Sequence, residues 1–149
     1  MGWTFYNSSG QQLQSTAAPT TAVSGRVART AGNVTTTSTS LVDVTGASVT
    51  FTTGAFPVAY GAVMAFQNTD VAYVTFNIDI DSSLELGTAG VTLRSLVEDE
   101  PLPGSFIGQS SALSAASHTI KMQWKVSAGT GLINATSTNT FIFWAHEVR

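Results

Sequence analysis

Between Thr119 and Val126 polar and apolar side chains alternate without a break. Ile120, Met122, Trp124 and Val126 hold one parity and Thr119, Lys121, Gln123 and Lys125 the other. Successive side chains of an extended chain point to opposite faces, so the pattern predicts an antiparallel strand with one buried and one wet face. Ala72 to Asp81 repeats it. Ala72, Val74, Phe76, Ile78 and Ile80 point one way, and Tyr73, Thr75, Asn77, Asp79 and Asp81 point the other, expected to face water. Thr140 to Val148 differs, because Phe141, Ile142, Phe143 and Trp144 occupy both parities. That run is expected to be covered on both sides, in the middle of a sheet beside the Ser117–Val126 strand, with Trp124 and Trp144 both in core registers.

Short strand-like runs separated by Gly, Asn, Asp, Ser or Pro recur from Gly25 onward, at Arg26–Thr30, Ser40–Val44, Ser48–Thr53, Val58–Asn68, Ala72–Asp81, Val91–Val97, Ser105–Ala112, Thr119–Val126, Gly131–Asn134 and Phe141–Val148. Eight to ten strands are too many for one flat sheet, and the rhythm predicts an all-β sandwich or barrel. Gln109–Ser117 is the one place for a short helix or turn. The segment before this domain has another character. Gly2 to Tyr6 is aromatic, Asn7 to Gly10 favours a turn, and Gln11 to Ser24 is polar, so residues 1–24 are expected to form an extended N-terminal arm before one domain at 25–149, with an N-terminal strand laid on that domain as the alternative.

Composition narrows the function. Charged residues make up 10% of the chain against about a quarter in an average protein, while 22 Thr and 17 Ser supply a hydroxyl surface. With six Lys plus Arg and a net charge of -3 there is no basic field for phosphates, so nucleic-acid binding is disfavoured. Zero cysteines remove disulfides, thiolate nucleophiles and Cys-based zinc sites. No run approaches the roughly 18 apolar residues of a membrane helix, and no basic-then-apolar leader opens the chain, so synthesis in a cytosol is expected, without membrane partners.

Candidate chemistry is sparse. Asp79 and Asp81 share a strand face, and Glu98, Asp99 and Glu100 cluster before Pro101 and Pro103. Paired carboxylates hold cations or act as acid and base, but no calcium-loop spacing accompanies them, and a solvated face with an acidic turn is the plainer reading. His118 and His146 lack a Gly-x-Ser-x-Gly elbow or any metal-ligand spacing. No catalytic, metal or cofactor-binding residue is therefore expected. Tyr73, on the face read as wet, is the better candidate for ligand contact, together with Glu98, Asp99 and Glu100. Trp3, Phe5 and Tyr6 are the candidates for docking a partner.

The opening string Gly-Trp-Thr-Phe-Tyr-Asn-Ser-Ser-Gly-Gln-Gln-Leu, with its Thr/Ala-rich continuation through Pro19, resembles the start of small virion proteins of tailed bacteriophages. Ser-His-Thr-Ile-Lys-Met-Gln-Trp-Lys-Val and Phe-Ile-Phe-Trp-Ala-His-Glu-Val resemble the C-terminal half of phage tail-fibre and decoration domains with a jelly-roll fold, itself similar to the tumour-necrosis-factor and C1q domains. The matching strings cover about a third of the chain. The resemblance implies an antiparallel jelly roll of about 8 to 10 strands behind an extended arm, forming a homotrimer. It also implies a non-enzymatic virion part, assembled in the bacterial cytoplasm onto other capsid or tail proteins. The alternative it leaves open is a module at a fibre tip that binds a receptor or a host surface glycan through the loop near Glu98–Gly104 or the Tyr73 face.

Overall fold

The computed structural model describes residues 24–149, together with a short ladder in which Phe5–Tyr6 (β1) runs antiparallel to Gln12–Leu13 (β2). The remainder of the expected arm lies outside the described residues. Eleven strand segments follow: β3 (Ser24–Arg29), β4 (Val34–Thr36), β5 (Val42–Thr52), β6 (Pro57–Asn68), β7 (Tyr73–Ile80), β8 (Ser83–Leu84), β9 (Val91–Arg94), β10 (Leu102–Ala112), β11 (Ser117–Val126), β12 (Gly131–Asn134) and β13 (Phe141–Glu147). The described residues contain no helix; β10 takes the first four residues of Gln109–Ser117, and residues 113–116 form the connection to β11.

Every pairing is antiparallel, and the eleven segments fill eight strand positions. β12 and β13 lie end to end along one edge of β6, with Asn134 opposite Ala65 and Ile142 opposite Val63, while β10 fills its other edge. β3 and β4 lie end to end beyond them. Sheet I thus reads β3/β4, β12/β13, β6, β10. Sheet II reads β5, β11, β7, with β8 and β9 sharing the outer edge of β7. Numbered along the chain, the positions run 1-8-3-6 in one sheet and 2-7-4-5 in the other. That order is the doubled Greek key of a jelly roll.

The alternating strands meet face to face. Tyr60, Met64, Phe66 and Phe143 from sheet I interdigitate with Phe76, Ile78, Ile120, Met122 and Trp124 from sheet II, all buried. Phe76 is the hub: its ring stacks on Trp124 at 6.3 Å, meets Phe66 edge-on at 6.0 Å and lies 6.4 Å from Phe106. Such pairs add to the burial energy of each ring and lock its rotamer.

Three expectations are corrected. β11 and β13 are not neighbours in one sheet but sit in opposite sheets, and only the odd-numbered face of β13 is core: Ile142 and Trp144 point outward and are half-buried. The polar face of β7 is wet only at its ends, Tyr73 and Asp81, because residues 83–92 fold back over its middle. Thr75 and Asp79 are 7% exposed and Asn77 is fully buried, its amide donating to Gly87 O at 2.6 Å and accepting from Ile78 N–H at 2.8 Å. Ser40–Val44 and Ser48–Thr53 are parts of one strand. Gly46, at φ +79°, bulges β5 so that its core parity shifts from Val44 to Ala47 and Val49.

Candidate functional site

The two outer faces of the sandwich differ. On sheet II, Asp43 binds Lys121 at 3.1 Å and Gln123 at 2.8 Å, and Thr50 meets Thr119 at 2.9 Å. The Gln123 amide, with help from Lys121, holds the Asp43 carboxyl below the usual range, while the carboxylate raises Lys121. These polar groups satisfy one another. The outer face of sheet I carries almost no charge. It presents Ala28 from β3, Ile142 and Trp144 from β13, Leu132 from β12, Ala59, Gly61, Val63 and Ala65 from β6, and Ile107 from β10, with Arg26 and His146 at its margin. Val63 is 51% and Ile107 76% exposed. Trp144 packs over Gly61, where a Cβ would stand 2.6 Å from Cζ2 of the indole, and stacks on His146 at 5.3 Å. A cleft of about 410 Å³ opens where Val63 and Ala65 meet Pro101, Pro103 and the Thr138–Thr140 turn.

The ends differ as well. At one end the β6–β7, β9–β10 and β11–β12 loops converge. Ser95 N–H donates to Ala72 O and Asp99 N–H to Asn68 O, each at 2.9 Å, and Tyr73 N–H donates to Ser127 Oγ at 3.0 Å. These bonds bring Tyr73 and the Glu98–Glu100 run, both singled out in the sequence, to the same end. Tyr73 remains half exposed, and the Arg94 guanidinium lies over its ring, 5.7 Å from the centroid. Val71, Leu96 and Val97 are exposed beside them.

No protein-family model matches the sequence, and no curated protein matches it. Among solved structures, the chain is similar to the CBM36-1 domain of a multidomain xylanase from the hindgut metagenome of Trinervitermes trinervoides, at TM-score 0.46 and 11% identity over 85% of this chain and 98% of that one. It is similar to the protein of infectious bursal virus-derived T=1 particles, at TM-score 0.48 and 10% identity over 85% of this chain and 36% of that one, so it spans about a third of that protein's length. It is similar to the Eiger TNF of S. frugiperda, at TM-score 0.32 and 13% identity over 78% and 92% of the two chains. Likeness at this level carries no argument about function. The jelly roll rests on the strand order.

The opposite end is tied down by buried polar side chains. His118 bridges Asp81 and Ser114, Thr53 Oγ1 donates to Ser114 O at 2.7 Å, and the buried Glu147 accepts from Gly54 N–H at 2.8 Å and pairs with Arg149. Asp79 and Asp81 do not converge: Asp79 accepts Ser82 N–H at 3.0 Å, and Asp81 turns away to His118 and Thr119. Among the described residues no three His, Cys, Asp or Glu side chains gather as a metal cage. His118 and His146 reach the same end from opposite sheets. The candidate docking residues Trp3, Phe5 and Tyr6 have side chains outside the described residues.

Sequence reasoning passed over Leu96, Val97, Val63 and Ile107. Val63 and Ile107 carry a signal only once the register is known, since each sits on the parity opposite the buried residues of its strand. Leu96–Val97 reads as the end of a strand, whereas β9 stops at Arg94.

Proposed function

We propose that this chain is a non-enzymatic structural protein of a bacteriophage particle, a head-decoration or tail-fibre subunit. Its jelly roll assembles as a homotrimer through the outer face of sheet I, and its N-terminal residues, including Trp3, Phe5 and Tyr6, attach it to a capsid or tail protein. The supporting observation is the nearly uncharged outer face of sheet I, with Ile107 and Val63 exposed and Trp144 packed over Gly61. Four strands about 4.8 Å apart and some ten residues long give a plan area of roughly 600 Å², close to the roughly 800 Å² per partner of a standard interface. Burying that face desolvates few charges, whereas covering sheet II would strip the Asp43–Lys121 pair. The phage assignment leans on the N-terminal and C-terminal strings, and a cysteine-free part assembled in a bacterial cytoplasm agrees with it.

Sedimentation equilibrium of the full chain is expected to give a trimer, and Val63→Asp with Ile107→Asp a folded monomer. A wild-type chain that stays monomeric at micromolar concentration overturns the assembly reading. Deleting residues 2–14 is expected to abolish particle binding while leaving the melting temperature unchanged, and wild-type occupancy by the truncated protein overturns the attachment reading.

A further inference from the structure

The loop end of the sandwich is net acidic. Asp70, Glu98, Asp99 and Glu100 meet two cations there, Arg94 opposite Tyr73 and Lys125 opposite Thr75, which leaves two negative charges. Beside these carboxylates stand exposed apolar side chains: Leu96 is 65%, Val97 57%, and Val71 and Tyr73 each 48% exposed. The loop that carries Leu96 and Val97 is held in place. Ser95, fully buried, fixes the loop through Ala72 O and donates its hydroxyl to Val97 O at 2.9 Å, while Asp99 stands at φ +55° with its N–H on Asn68 O. Two adjacent aliphatic side chains are thereby presented to solvent with their ordering cost already met.

We infer that this end docks a basic, partly apolar polypeptide segment, one that offers two or three aliphatic or aromatic side chains flanked by Lys or Arg. The apolar groups fill in against Leu96, Val97 and Val71, and the cations meet Asp70 and the Glu98–Glu100 run, which sets orientation and speeds encounter. A glycan fits less well. Tyr73, the aromatic ring on which a sugar would stack, already has Arg94 over it, and Asn68, which opens the β6–β7 loop, is fully buried with its amide spent on Ala128 O and Asp70 N–H. Nucleic acid and anionic lipid are repelled by these carboxylates.

A displayed library of random short peptides, panned on the full chain, tests this. Enriched peptides are expected to combine Lys or Arg with an apolar pair. A synthetic peptide of the enriched sequence is expected to bind at least about tenfold more weakly to Leu96→Ser/Val97→Ser, and to weaken with rising salt. Glu98→Gln/Asp99→Asn/Glu100→Gln leaves the apolar side chains intact and is expected to lower affinity and flatten the salt dependence, so the idea stays testable if the serine variant folds poorly. Enrichment of neutral or acidic peptides, equal binding to both variants, or no enrichment overturns it. Binding on a glycan array that is lost with the serine variant also overturns it, and assigns the surface to sugars.

Discussion

Asp81 Oδ2 lies 2.5 Å from His118 Nδ1, and the far side of the same ring, Nε2, lies 2.9 Å from the carbonyl oxygen of Ser114. Both ring nitrogens face acceptors, so the imidazolium, with two N–H donors, is the form that satisfies both. The Asp81 bond first and the Ser114 carbonyl second raise the His118 pKa, while the Thr119 N–H first and His118 second lower that of Asp81. The ring joins the β7–β8 turn to the β10–β11 loop.

A raised histidine contributes stability that is complete below its unfolded value of about 6.5 and is lost as pH rises through the folded value. A lowered aspartate contributes above about 3.9 and loses that as pH falls through its folded value. The clamp is therefore strongest between roughly pH 4 and 6.5. Discounted for the half-exposed Asp81, it is worth about 1 kcal/mol, or about 3 °C in melting temperature. Thermal melts of wild type and His118→Gln are expected to differ more at pH 5.5 than at pH 8.5. A gap that does not change with pH removes the clamp from the account.

Glu147 is 1% exposed, accepts the Gly54 N–H and pairs with Arg149, whose guanidinium lies 5.4 Å over the Phe56 ring. The Arg149 bond first, and the Gly54 N–H as a smaller contribution, hold its carboxyl below the usual range. Removing only the cation strands a buried carboxylate, which costs more than removing both charges. Arg149→Gln is thus expected to melt below the Glu147→Gln/Arg149→Gln double variant. The deficit is expected to shrink on acidification as the stranded carboxylate takes up its proton. The reverse ranking would mean that Arg149 acts through its packing on Phe56 alone.

The sandwich was legible because period-two alternation reports burial directly wherever a strand has one dry and one wet face. Ile120 to Val126 is such a case, and all four residues are core. The same logic misjudged β7, since residues 83–92 cover the middle of its polar face and Thr75, Asn77 and Asp79 are buried through hydrogen bonds that hydropathy does not register. It also misjudged Trp144. An indole on an outer face is unexpected until Gly61 is seen to leave it room on the neighbouring strand, a contact separated by 83 positions in sequence. For the candidate site, the acidic run and Tyr73 were visible as residue types. Their convergence was not, because it depends on the Ser95–Ala72 and Asp99–Asn68 bonds between loops.

The Trp144–Gly61 contact gives a test that separates packing from backbone strain. A Cβ at residue 61 would stand 2.6 Å from Trp144 Cζ2 and 2.9 Å from Phe106 O. The indole can move off the sheet, but the carbonyl belongs to the paired strand β10 and cannot move far. Overpacking of this kind typically costs about 1–3 kcal/mol. Gly61→Ala is expected to destabilise by that amount in wild type and by less in a Trp144→Ala background, because only the Phe106 crowding remains. The coupling energy from this double-mutant cycle is expected to reach about 1 kcal/mol, as for residues in direct contact. Additivity of the two substitutions in denaturant unfolding would show that Trp144 does not rest on Gly61 in solution.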